Sequence, residues 1–98
     1  MTINDRFVAS ELPVLVIGAA GVDMVGRLKS NLRPYTSNPA QIRISFGGAA
    51  RNVAENLLHL GTQVTLMTVL GNDEPGDNLV QAIHEAGANV DPVMRSTN

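Results

Sequence analysis

A carboxylate, an amide and a pair of glycines are the residues of this 98-residue chain best suited to chemistry. Asp23 lies just beyond a short apolar run that ends in glycine. A buried strand would emerge there at its carboxyl end, which is where open α/β sheets take ligands. A carboxylate so placed can accept hydrogen bonds from ligand hydroxyls; an Asx-turn or a helix cap uses an aspartate equally well, and spacing leaves these readings open. Further along, Phe46-Gly47-Gly48-Ala49-Ala50-Arg51-Asn52 runs from a strand through paired glycines into a helix. Such a junction exposes backbone N–H groups at the positive end of a helix and lets a ligand approach the main chain closely. Asn52 sits roughly 160° around the wheel from Ala50, so it is off the core stripe and can offer a hydroxyl both a donor and an acceptor. A glycine turn followed by solvated polar residues fits the same segment.

Other candidate motifs fail on spacing. Gly18, Gly21 and Gly26 do not form G-x-G-x-x-G. Gly21 and Gly26 have the separation of a P-loop, but Arg27-Leu28 stands where Lys-Ser or Lys-Thr would hold phosphate and magnesium. His59 and His84 fall on different helices with no acid or histidine at ligand spacing beside them, so no metal site is expected. Arg27, Lys29 and Arg33 read as a solvated basic face.

Composition narrows the remaining classes. Nine acids against seven bases leave a net charge of -2, too little to concentrate nucleic acid or anionic membrane, and aromatic residues make up only 3% of the chain, so stacking platforms for bases are lacking. With no cysteine, disulfides, thiolate metal sites and thiol catalysis are excluded. The longest uncharged apolar stretch, Val14 to Val22, falls far short of the roughly 18 to 20 residues of a spanning helix. Asp5, Arg6 and Glu11 ahead of it do not suit a signal peptide. The expectation is a soluble, cytoplasmic protein that binds neither nucleic acid nor membrane.

The elements that must position the candidate residues follow from periodicity. Pro13 to Gly18 and Val64 to Leu70 are β-branched-rich runs ended by glycine, predicted as parallel strands buried on both faces. Gln41 to Phe46 alternates polar and apolar, predicting a strand with one face covered, outside the central sheet. Pro34, Ser37, Asn38 and Pro39 mark a turn-rich connection before it. Ala50, Val53, Ala54, Leu57 and Leu58 form one stripe of a helix that Gly61 should end as a left-handed cap. A second helix is predicted from about Pro75, with Asp73, Glu74 and Asp77 at its positive end, Leu79, Ala82, Ile83 and Ala86 on its inner face, and Gly87 at its close. Val90 to Met94 should begin another strand. Two helices cannot cover both faces of such a sheet, so the chain reads as the front part of a larger α/β protein.

Gly47-Gly48-x-x-x-Asn52, the apolar helix after it, Leu60-Gly61, the next strand and Gly71-x-Asp73-x-x-Gly76 together resemble the first signature of the ribokinase-like (PfkB) family of carbohydrate and nucleoside kinases. The resemblance extends from the first strand to Val90. Within the family, Ser37-Asn38-Pro39, the strand at Ile42 and the block from Gly47 to Leu57 are most similar to kinases acting on pseudouridine. The resemblance implies a mostly parallel sheet flanked by helices, with strands of a small lid sheet within about residues 24–46, in residues 1–98 as the N-terminal part of one such domain. It implies ATP-dependent phosphorylation of a primary hydroxyl of a pseudouridine-like nucleoside or a sugar. Asp23 would accept hydrogen bonds from ribose hydroxyls, Gly47 and Gly48 would bring backbone to the sugar, and Asn52 would bond a sugar hydroxyl. ATP and Mg2+, with K+ as a further candidate, would be held by a C-terminal catalytic part not contained in residues 1–98, so these residues alone should be inactive. A homodimer through the lid strands is a further implication, and a non-catalytic sugar- or nucleoside-binding relative is the alternative. Gly21 stands where members often carry Asn, and Ala49 where ribokinases often carry Lys.

Overall fold

A computed structural model of the chain describes residues 12–97; Asp5, Arg6, Glu11 and Asn98 lie outside the described residues. Two unlike parts make up the fold. The first is a parallel α/β layer. Strand β1 (Val14–Ile17) runs parallel to β4 (Val64–Met67), with Val14 opposite Val64 and Ile17 opposite Met67. Strand β5 (Val69–Gly71) runs parallel to β6 (Met94–Ser96). The expected single strand Val64 to Leu70 is therefore two, because it changes partners at Thr68. The carbonyls of Gln63 and Met67 accept from Val14 and Gly18 on one edge, whereas those of Val64 and Thr68 accept from Asn89 and Met94 on the other. The last strand also starts later than expected. Val93 N–H bonds the Val90 carbonyl in a turn through Asp91-Pro92, and Pro92 has no N–H to give a ladder, so regular pairing resumes only at Met94.

Helix α1 (Ala49–His59) connects the second part to β4, and helix α2 (Glu74–Glu85) connects β5 to β6. Both helices end as the sequence predicts. Thr62 and Gly61 N–H groups bond the Leu57 and Leu58 carbonyls, and Ala88 and Gly87 repeat this with Ile83 and His84, the paired bonds of a Schellman motif. At the start of α2, Asp73 accepts from the Gly76 N–H at 2.9 Å. Arg95 on β6 spans this corner, donating to the Gly71 carbonyl at 2.8 and 3.0 Å and to Asp77 Oδ1 at 2.5 Å. The Gly71-x-Asp73-x-x-Gly76 pattern is thus a strand-to-helix corner, and a side chain at Gly76 would run into the Gly71 carbonyl.

Val16, Val64, Leu66 and Leu70 from the strands meet Ala50, Ala54, Leu79, Ile83 and Ala88 in one core, with Leu66 and Leu79 fully buried. Val53, expected in the stripe of α1, is exposed, as is Ala86 of α2. Both helices cover the same face of the sheet. The expected burial of β1 on both faces is not met, since Leu15 is 52% and Ile17 67% exposed on the uncovered side.

The second part is an antiparallel ribbon of β2 (Gly21–Leu28) and β3 (Ala40–Gly47), in register from Gly21 opposite Gly47 to Leu28 opposite Ala40. It forms its own sheet, apart from the parallel strands. Its turn-rich connection is held by Asn38, whose Oδ1 accepts from the Arg33 N–H at 2.8 Å and whose Nδ2 donates to the Arg33 and Thr36 carbonyls at 2.9 Å. Directly opposed residues share a face. Val22, Met24, Ile42, Ile44 and Phe46 accordingly lie on one side, and Asp23, Val25, Arg27, Gln41, Arg43 and Ser45 on the other. The alternation of Gln41 to Phe46 is real, but its apolar side is covered only at the base, where Phe46 packs against the core, while Ile42 and Ile44 remain largely exposed.

Candidate functional site

The two parts of the fold meet where β1 runs into β2 and β3 runs into α1, and all four candidate residues collect there. Asp23 is the third residue of β2, opposite Ser45. It caps no helix, and among the described residues no group donates to its carboxylate, so the Asx-turn and helix-cap readings fall away. Gly47 lies diagonally across the ribbon on the same face, and a Cβ there would collide with Asp23 Oδ2. Its lack of a side chain is what leaves the carboxylate room.

Gly48 has a different structural duty. Its φ is 94°, a region that favours glycine, and a Cβ would strike the Ala19 carbonyl oxygen and come within 2.6 Å of Ala20 Cα. This close approach lets the Ala19 carbonyl accept from the N–H groups of Ala50 at 3.0 Å and Arg51 at 3.4 Å. Asn52 N–H closes the first turn on the Gly48 carbonyl at 3.0 Å. The expectation of free N–H groups at the helix end is corrected in part, because the β1–β2 loop takes those of Ala50 and Arg51 itself.

Asn52 is exposed in the first turn of α1, as its wheel position requires. Its Oδ1 accepts from Arg51 Nη2, and Arg51 Nη1 pairs with Glu55 one turn on. Arg51 was not visible as a functional residue from glycine spacing; the only hint was a base and an acid four apart on one helix, Arg51 and Glu55. The polar face of the ribbon continues outward from Asp23 past Ser45 and Arg43 to Arg27 and Gln41, lining an open hollow of about 480 Å³. His59 and His84 are both exposed, one on each helix, and among the described residues no three acids or histidines gather as a metal site. Chemically, the junction offers an acceptor-only carboxylate on β2, an exposed amide in the first turn of α1 and glycine backbone between them, groups able to hydrogen-bond hydroxyls.

Residues 12–98 match the sequence pattern described as pfkB family carbohydrate kinase. The chain is 36% identical over 81 residues to the pseudouridine kinase of Escherichia coli, covering 83% of this chain and 26% of that protein. It is 38% identical over 80 residues to a guanosine-inosine kinase of Exiguobacterium acetylicum, covering 82% and 26%. Among solved structures, a candidate sugar kinase from Clostridium perfringens superposes with a TM-score of 0.81 at 41% identity, covering 88% of this chain and 28% of that one. The chain spans about a quarter of the length of the curated relatives it matches.

Proposed function

Since the chain belongs to the pfkB family of carbohydrate kinases, we propose that residues 12–97 form the acceptor-binding part of an ATP-dependent kinase that phosphorylates a primary hydroxyl of a nucleoside, pseudouridine-like, or of a sugar. The observation that carries this reading is the partner-free Asp23 carboxylate, given space by Gly47 at the meeting point of sheet, ribbon and helix. An exposed acid that neither caps nor pairs within the fold is available to ligand hydroxyls, and two hydroxyls of a sugar ring match its two oxygens. Asn52 adds a second polar contact from α1, and Gly48 keeps the backbone of the β1–β2 loop close to the same point. The relatives' names support the substrate class, with one acting on pseudouridine and one on guanosine and inosine.

The polar side of the β2–β3 ribbon carries Asp23, which supports reading the ribbon as a lid over the acceptor. Its apolar side, with Met24, Ile42 and Ile44, faces away and suits a second copy of the chain. Phosphoryl transfer also needs groups that hold ATP and neutralise charge on the moving phosphoryl. The described residues offer no acidic cluster that fits Mg2+; their share is binding and orienting the acceptor.

The test is an assay of the complete gene product with ATP against pseudouridine, guanosine, inosine, ribose and fructose, together with Asp23→Ala. A phosphorylated nucleoside or sugar is expected, with KM for the acceptor raised about ten- to a hundredfold by Asp23→Ala and KM for ATP little changed. Binding without turnover would favour the non-catalytic relative, and neither binding nor turnover with any of the five would overturn the reading.

A further inference from the structure

We infer that Arg51 is a positioning residue that turns the Asn52 amide so that its NH2 group, not its oxygen, faces the acceptor; this rests on the reading of Asn52 as an acceptor contact. A guanidinium has five donors and no acceptor. Whatever atom of Asn52 meets Arg51 Nη2 must therefore be the amide oxygen, which leaves Nδ2 pointing away from Arg51. The orientation follows from the chemistry of the pair and not from the assignment of one amide atom. Arg51 is in turn prevented from swinging to solvent. Its side chain is only 16% exposed, its Nη1 is held by Glu55 one helical turn on, and it lines a small cleft of about 80 Å³ between the end of β3 and the two helices, with Phe46, Ala82, Ile83 and Ala86.

A stability role explains this arrangement poorly. Arg51 Nε is buried without a hydrogen-bond partner, and such an atom costs free energy that an unbranched apolar side chain in the same cleft would not. The retained gain is at the other end of the side chain, where a neutral amide that could present either edge is locked to one. The consequence for recognition is a polarity rule at the junction. Asp23 can only accept, and Asn52, so oriented, donates. The acceptor molecule must then donate a hydrogen bond to one and offer a lone pair to the other, which adjacent hydroxyls of a sugar do and a pair of acceptor-only groups does not.

The experiment is a double-mutant cycle in the complete gene product, using whichever of pseudouridine, guanosine, inosine, ribose and fructose the wild type uses best, with Kd from calorimetry beside KM. Asn52→Ala should weaken acceptor binding about tenfold or more. Arg51→Met should weaken it about three- to tenfold while leaving KM for ATP and the thermal midpoint near wild type, and the double variant should be no weaker than Asn52→Ala alone. Asn52→Asp, which keeps the size and the acceptor but loses the donor, should be as weak as Asn52→Ala. Additive losses, a matching fall in thermal midpoint and in both KM values for Arg51→Met, or an Asn52→Asp variant that binds as well as wild type would each overturn the inference. An Asn52→Ala variant that binds normally would instead overturn the underlying reading of Asn52.

Discussion

The parallel layer and the β2–β3 ribbon contain similar proportions of apolar residues and use them in opposite ways. In the layer, two helices close over one face, and Leu66 and Leu79 have no exposed surface left. In the ribbon, Met24, Val25, Ile42 and Ile44 are each more than half exposed, although their register is as regular as any in the molecule. Beyond Val22 and Phe46, which pack against the layer's core, backbone pairing sets the ribbon's shape, while side-chain burial sets the layer's. A two-stranded ribbon without a covering partner is marginal in water. The layer is thus a foundation, and the ribbon an element whose stability depends on what comes to lie against it, a property that fits the lid proposed above.

Hydrogen exchange tests this contrast most directly. Amides of β4, bonded to β1 on one edge and to Asn89 on the other, should exchange at least about a hundredfold more slowly than those of β2 and β3. Adding the acceptor, or raising the protein concentration if a second copy covers Met24, Ile42 and Ile44, should slow the ribbon and leave β4 unchanged. Equal protection in the two parts under all conditions would remove the distinction.

Substitutions should show the same asymmetry. Leu66→Ala should cost about 2–5 kcal/mol in urea denaturation, whereas Ile44→Ala, already solvated, should cost less than about 0.5 kcal/mol unless a partner covers it. At the seam, Gly48→Ala should cost roughly 1–3 kcal/mol through its positive φ and push the β1–β2 loop off α1, lowering acceptor affinity as well. In the layer, Asp73→Ala removes the α2 cap and should cost about 0.5–2 kcal/mol without touching acceptor binding. The smallest effect belongs to Gly21→Asn. A Cβ at Gly21 meets nothing within 4 Å, so stability should change by less than about 0.5 kcal/mol, and any change in acceptor KM would report a contact made by the new amide.

Much of the layer was legible in advance because burial imposes a period. The α1 stripe of Ala50, Ala54, Leu57 and Leu58, the glycines at 61 and 87, and the Asp73 cap each obey a local rule that one stretch of chain satisfies alone. Errors arose where a second stretch had a say. Val64 to Leu70 reads as one strand and is two, because its pairing with β1 ends at Met67 and pairing with β6 begins at Val69. Val90 to Met94 reads as strand and is mostly turn, because Pro92 cannot join the ladder. Pro13 to Gly18 reads as doubly buried and is half bare, since apolar residues announce that a face should be covered but not that a helix is there to cover it.

The candidate site divides in the same manner. The residue types and the strand–glycine–helix pattern single out Asp23, Gly47, Gly48 and Asn52 as candidates, because glycine pairs and helix starts are local features of the chain. Their mutual placement came from the folded structure. Residues 23 and 47 are far apart in the chain, and only antiparallel pairing of β2 with β3 sets a missing Cβ beside a carboxylate. The Ala19 carbonyl, which takes the first N–H groups of α1, and Arg51, which turns the Asn52 amide, had no signature of their own, since hydrogen bonds depend on atoms brought within about 3 Å and linear spacing does not encode that distance. Periodic burial is written along the chain; which polar atoms meet, even between neighbours such as Arg51 and Asn52, depends on side-chain directions that packing fixes.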